Sequence, residues 1–275
     1  MRALRRTSLE VVALLVAAVV FIVPFVFMFL TASKDESESS DLTFTLPTEW
    51  KILENIKEVF AARDGILVTA FRNSIILTVV SVAILVVLCA MVGYVIQRRP
   101  GRAASIANVL VLSGLIIPPA VVPTIWVLQQ MHIFKTLPGL ILVEVAFNMS
   151  FCVLLFRAFV AAIPRELDEA AMIDGCTGLS LFFRVIFPLL RPVTITVVLT
   201  SSVFIFNDFV NPLYFLPGDE NATVQLTLYN FLSQFSTQYN LLFMNIVLVT
   251  VPPLVLFIFF NRKIVAGMTS GAVKG

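Results

Sequence analysis

Catalysis needs a reactive group with a partner at a workable spacing, and this sequence offers few such pairs. The single histidine, His132, has no companions with which to build a metal site. The cysteines, Cys89, Cys152 and Cys176, follow no metal or redox spacing, and two of them stand in apolar runs where a thiol serves as a small hydrophobe. No metal ligand set is therefore expected. No serine with a base and no facing pair of aspartates emerges either, which disfavours hydrolytic chemistry. The ending GMTSGAVKG holds glycine and lysine without the G-x-x-x-x-G-K-[ST] spacing that cradles phosphates. No cofactor is expected on this chain. Glu144 and Asp208, with Asn207 beside the latter, stand inside apolar runs, where ionisable groups are costly and suggest function. Lining a pathway, relaying protons and structural pairing are the roles open to them.

A second constellation is EAAMIDGCTGLSLFFRVIFPLLRP, Glu169 to Pro192, an acidic, glycine-broken stretch between two greasy ones. Pro164 suits a first helical turn. Glu166, Asp168 and Glu169 then fall where the helix dipole favours negative charge. Glu166, Glu169, Ala170 and Ile173 share a face at helical period. Gly175 can end that helix in the left-handed region, with Asp174 just before it. A second helix, LSLFFRVIF, is expected to follow Thr177 and stop at Pro188. The small Ala170, Ala171 and Gly175 beside acids make a surface that another protein can approach closely. Segment 163–191 thus reads as a helix-turn-helix docking knob.

These residues are positioned by apolar elements. The chain of 275 residues is 59% hydrophobic and 13% charged, against about 25% charged in soluble domains. Residues 11–33, 73–97 and 103–134 carry no charged side chain. Runs of roughly 18 or more apolar residues are long enough to span a bilayer. The sequence therefore predicts an all-α integral membrane protein, one transmembrane domain over 1–275. Six spans are expected, at about 9–30, 71–97, 104–128, 138–161, 192–216 and 240–260. The start could be taken for a signal peptide, but its apolar region is too long for one, and it reads as a retained first span. The net charge of +2 makes no case for a nucleic-acid partner.

Basic residues mark the cytoplasmic side. With six spans, one side collects Arg2, Arg5, Arg6, Arg98, Arg99, Arg102, Arg157, Arg165, Arg184, Arg191, Arg262, Lys263 and Lys274. The other collects Lys34, Lys51, Lys57, Arg63, Arg72 and Lys135. Both termini and segment 163–191 are therefore expected in the cytoplasm. Residues 31–70, with an amphipathic helix in TEWKILENIKEVFAA, and the polar, aromatic residues 217–239 are expected outside.

EAAMIDG…VIFP resembles the EAA motif of the membrane subunits of bacterial ABC importers, through Glu169, Ala170, Ala171, Gly175 and Phe187-Pro188. Cys176 and Phe187 stand where Ala and Leu are common. FRNSIILTVVSVAILVVLCAMVGYVIQR and FNDFVNPLYFL look like the second and fifth spans of the carbohydrate-importer permeases. NRKIVAGMTSGAVKG looks like the tail of the maltose-type inner-membrane subunit. The resemblance implies a bacterial inner-membrane permease that pairs with a second, usually non-identical permease. It implies two cytoplasmic ATPase subunits that hold ATP and magnesium and grip the EAA helices at Glu169, Ala170, Ala171, Asp174, Gly175 and Pro188. It also implies an extracytoplasmic sugar-binding protein, and a tail that docks between the ATPases through Gly267, Gly271 and Lys274. Import of a sugar phosphate or glycerol phosphate is the nearest alternative, although no basic pair stands inside a span. An ion-coupled secondary transporter using Glu144 and Asp208 is the more distant one.

Overall fold

The computed structural model describes residues 2–232 and 237–272, and places side chains for 10–232 and 237–260. The described residues are mostly helical. The helices are α1 (Arg2–Ala32), α2 (Glu36–Ser40), α3 (Ile52–Ala61), α4 (Ile66–Arg98), α5 (Arg102–Ile116), α6 (Val121–Gln130), α7 (Leu137–Ala162), α8 (Glu166–Ile173), α9 (Gly178–Leu181), α10 (Phe187–Leu189), α11 (Arg191–Phe206), α12 (Val210–Phe215) and α13 (Tyr239–Ala272). Among the described residues, four segments are long and apolar enough to cross a membrane: Glu10–Ala32, Ile52–Arg98, Leu137–Ala162 and Tyr239–Phe260. Phe21, Leu14 and their neighbours on α1 are exposed, as a lipid-facing surface requires.

Two expected spans take another form. The stretch 104–128 is divided into α5 and α6. Pro118 and Pro119 supply no amide hydrogen, and the residue before them is pushed extended, Ile117 lying at φ −78°, ψ 121°. The stretch 192–216 is helical only to Phe206, then turns at Asn207 and resumes as α12. Asp208 starts that second piece, its carboxylate accepting the Val210 amide at 2.9 Å. Pro24, Pro252 and Pro253 lie inside continuous helices instead. α4 begins earlier than expected, just after a break at which Arg63 and Asp64 take left-handed conformations.

Contacts cluster in two units. One gathers the described residues up to Thr69 with Val224–Val251. It buries polar groups by pairing them. The Lys34 ammonium, wholly buried, donates to the Thr43 carbonyl at 3.0 Å and to Thr45 Oγ1 at 2.9 Å. Asn55 donates to the carbonyls of Ala32 and Lys34, both at 2.8 Å, and accepts from Asn240 at 3.2 Å. At the surface, Asp35 caps α2, and the Glu38 amide and the Ser37 hydroxyl hold its carboxyl below the usual range.

The other unit holds Ala70–Thr223 and the described residues from Pro252 on. Its apolar core includes Leu85, Cys89, Phe156, Ile186 and Val197. α7 runs through the middle and packs on α5, α11 and α12. At Gly93, a side chain on α4 would come within 3.0 Å of Phe156 Cβ and the Arg157 amide on α7. Small residues permit such close helix approach within membranes. Gly93→Val is therefore expected to force α4 and α7 apart and cost about 1–3 kcal/mol. A lowered melting temperature of the purified protein checks this, and unchanged melting refutes it.

Candidate functional site

The segment read from the sequence as a docking knob is built as a tight turn between two unlike helices. α8 ends in a Schellman arrangement. The Cys176 amide donates to the Ala171 carbonyl at 2.9 Å and the Gly175 amide to the Met172 carbonyl at 3.1 Å. Gly175 takes φ +83°, the left-handed conformation expected of it. Thr177 then leads into α9. The second helix does not stop at Pro188. Phe182–Ile186 widens into a π-turn, and the Phe187 amide reaches back to the Phe182 carbonyl. In that wider winding the missing proline donor does not halt the helix, which runs on through α10 to Leu189. A bend of 78° separates Gly178–Leu189 from α11.

Glu169, Ala170, Asp174, Gly175 and Pro188 are exposed. Ala171, grouped with Ala170 by the sequence, is buried. Beside the acids stand apolar side chains that nothing among the described residues covers. Ile173 is 87% exposed and Leu179 is 62% exposed.

α8 faces inward through Asp168, which the sequence reading credited only with a dipole role. Arg98 Nη2 lies 3.0 Å from Asp168 Oδ2 and donates to the Ile163 carbonyl at 2.7 Å. The Tyr94 hydroxyl donates to Asp168 Oδ1 at 2.7 Å. Both partners of the ion pair are about nine-tenths buried. Tyr94, Arg98 and Asp168 were missed as site residues because α4 and α8 are far apart in sequence. The signal lay in an acid about 100° round the helix from Glu169 and a basic pair closing α4. A cleft of about 210 Å³ opens beside this tie, lined by Arg99, Arg165 and Glu169 among others.

A second polar site lies on α7. Glu144 is fully buried. Asn211 donates to its Oε1 at 3.0 Å, and Asn148 to its Oε2 at 3.4 Å. The Asp208 carboxyl lies beside it, and Asp208 Oδ2 is buried without a hydrogen-bond donor. The structure thus brings Glu144 and Asp208 together. Asn207 instead donates to the Val203 carbonyl of its own helix at 2.8 Å. One turn along α7, Phe147, Asn148 and Phe151 face Thr200, Ser201 and Phe204 of α11 around a cleft of about 340 Å³. Among the described residues no group of three His, Cys, Asp or Glu could hold a metal ion. Of the tail residues, Gly267 and Gly271 fall in the backbone of α13, and Lys274 lies outside the described residues.

Residues 3–270 match the model of a family described as the binding-protein-dependent transport system inner membrane component. The chain belongs to that family. This transport component is 30% identical over 262 residues to the probable starch degradation products transport system permease protein AmyC of Thermoanaerobacterium thermosulfurigenes, covering 94% of each chain. It is also 30% identical to the melibiose/raffinose/stachyose import permease protein MelC of Bacillus subtilis, over 100% of both chains. Its fold matches a subunit in the crystal structure of a bacterial ABC transporter involved in the import of the acidic polysaccharide alginate, with TM-score 0.83, 17% identity, and 95% and 98% of the two chains covered. The component is a multi-pass membrane protein, and the EAA segment read from its sequence is the exposed knob between α7 and α11.

Proposed function

We propose that this chain is one of two permease subunits of an ATP-driven importer that takes a sugar or oligosaccharide from an extracytoplasmic binding protein. The second permease is a different chain. The observation that carries the reading is the knob: exposed Glu169, Asp174 and Ile173 on a turn shaped by Gly175, held to α4 by a buried ion pair. Such a surface fits a protein partner that pushes, and the chain's own motifs leave ATP and magnesium to that partner. Two cytoplasmic ATPase subunits fill the role, which places both termini and the knob inside the cytoplasm of a bacterium whose inner membrane holds the complex.

The sugar reading draws support from the relatives named above and from the cleft between α7 and α11. Its phenylalanine rings suit the C–H faces of a pyranose, and Asn148, Thr200 and Ser201 suit its hydroxyls. No arginine or lysine lines it, as a phosphate would require. The deciding experiment reconstitutes the complete complex in vesicles with its binding protein and a panel of labelled saccharides and glycerol phosphate. Uptake that needs ATP inside and a saccharide outside supports the reading. Uptake driven by an ion gradient without ATP would replace it with the secondary-transporter alternative.

The tail extends the same reading. Truncation after Ala266 is expected to leave the protein inserted but to lower ATP-coupled uptake or its regulation. Uptake and hydrolysis both at the full-length level would remove the docking role of residues 267–275.

A further inference from the structure

α4 is held by polar grips near both of its ends. Close to its start, the Asn73 amide donates to two backbone carbonyls, Glu220 at 3.2 Å and Ala222 at 3.1 Å. Asn73 is buried. At its finish, Tyr94 and Arg98 hold Asp168 of the docking helix. Between these points α4 is one helix without proline, about 37 Å from Asn73 to Arg98 at 1.5 Å per residue. Between the grips, Cys89 and Gly93 lie against α7, with Cys89 Sγ reaching the Met149 carbonyl at 3.6 Å, and near the finish Gln97 accepts from Arg157 of α7 at 3.2 Å. Each of these ties to α7 is a single bond, whereas each end grip holds α4 by two, so a small axial shift gives at α7 before it gives at the ends.

From this we infer that α4 is a coupling rod. A displacement of α8 pulls on Asp168, shifts α4 along its axis, and moves the Glu220–Ala222 segment at the other end through Asn73. The inference rests on the importer reading and its orientation, which place 217–223 on the side of the binding protein and α8 on the side of the ATPases. Coupling is reciprocal, so an event at Glu220–Ala222 must bias the docking helix by the same free energy. A position between two sites is by itself no proof of coupling. The particular warrant here is a rigid element bonded at both ends to the segments it would move. Neither Asn73 nor Asp168 need touch a substrate or a partner subunit, so both are positioning residues.

The test uses the complete complex, with ATPase subunits, second permease and binding protein, in lipid vesicles. Asn73→Leu removes the outer grip, Asp168→Asn weakens the inner one, and the double variant removes both. Asn73→Ala repeats the outer measurement with a smaller side chain in case leucine is not accommodated. Basal hydrolysis, hydrolysis with loaded binding protein, and retention of the ATPase subunits are read for each. Asn73→Leu is expected to lower binding-protein stimulation about fivefold or more, with retention complete and basal hydrolysis within about twofold of wild type. The double variant is expected to be no worse than the more severe single one, because a rod released at one end transmits nothing further. Losses that multiply in the double variant would show two independent structural defects and overturn the rod. So would wild-type stimulation in both Asn73 variants. A wild-type complex with no ATP-dependent uptake would sink the importer reading itself, and the rod with it, which is a different result from either.

Discussion

Glu169→Lys is expected to give a permease that inserts normally but no longer couples ATP to uptake. Glu169 is exposed, on the face of α8 that also presents Glu166, Ala170 and Ile173. On the proposed reading it meets a basic group of an ATPase subunit across a surface that docking shields from water. Breaking such a pair costs about 2–5 kcal/mol, mostly because the remaining charge is stranded. A lysine there sets like charges face to face and adds repulsion. Gly175→Val should reach the same end by another route. A β-branched residue is poorly tolerated at φ +83°, so the Schellman turn that sets the angle between α8 and α9 would distort. Space is no obstacle there, since a Cβ at Gly175 meets nothing within 4 Å. The measurement is paired: ATPase subunits retained on the purified complex, and sugar uptake in vesicles. Loss of either with normal membrane insertion supports a coupling role. Wild-type values in both assays for Glu169→Lys would make the segment a plain loop.

That turn was legible in the sequence because its determinants are local. Glycine after a helical run, acids in the first turn and proline before it are near-neighbour signals, and Gly175 sits where they put it. The inward position of Ala171 was not legible. It follows from which face of α8 meets Tyr94 and Arg98, and that partner lies 74 residues away in sequence. Helical period groups residues on one face without saying which face another element covers. The same limit explains Pro188. Proline forbids an α-helical hydrogen bond, yet a π-turn just before it changes the register in which the bond would be needed. At Pro118-Pro119 no such change of winding intervenes, and the apolar run breaks into α5 and α6 there. Composition identified these runs as membrane-embedded, while hydropathy alone could not distinguish one span from two half-helices. Structural pairing was one of several readings of Glu144 and Asp208, and it named no partner. It became specific when Asn211, three residues beyond Asp208, was found donating to Glu144.

Glu144→Ala is expected to destabilise the protein strongly, and Glu144→Gln hardly at all. Alanine strands Asn211, whose amide now donates to the carboxylate, while Asn148 keeps its 2.9 Å bond to the Glu144 backbone carbonyl. A buried donor left without an acceptor costs about 1–3 kcal/mol. The cavity left by the lost side chain adds to that, for a total of about 3–5 kcal/mol. Glutamine keeps the shape, and its amide oxygen still accepts from Asn211. Its amide nitrogen also offers a donor to Asp208 Oδ2, which has none at present. Two carboxyl groups side by side, with no lysine or arginine among the groups acting on Glu144, become an amide and a carboxylate. The change in stability with glutamine should therefore stay within about 1 kcal/mol of wild type and can be favourable. Thermal melting of the purified complex reads both stabilities, and vesicle uptake reads whether the acid takes part in transport. On the structural-pairing view, Glu144→Gln keeps ATP-driven uptake, because an amide serves the pair as well as an acid. On a proton-relay view it abolishes uptake, because glutamine does not exchange a proton. A stable glutamine variant that fails to transport would thus return Glu144 to the pathway chemistry that the sequence left open. A glutamine variant that melts as low as alanine would mean that the acid itself holds α7 to the α11–α12 break.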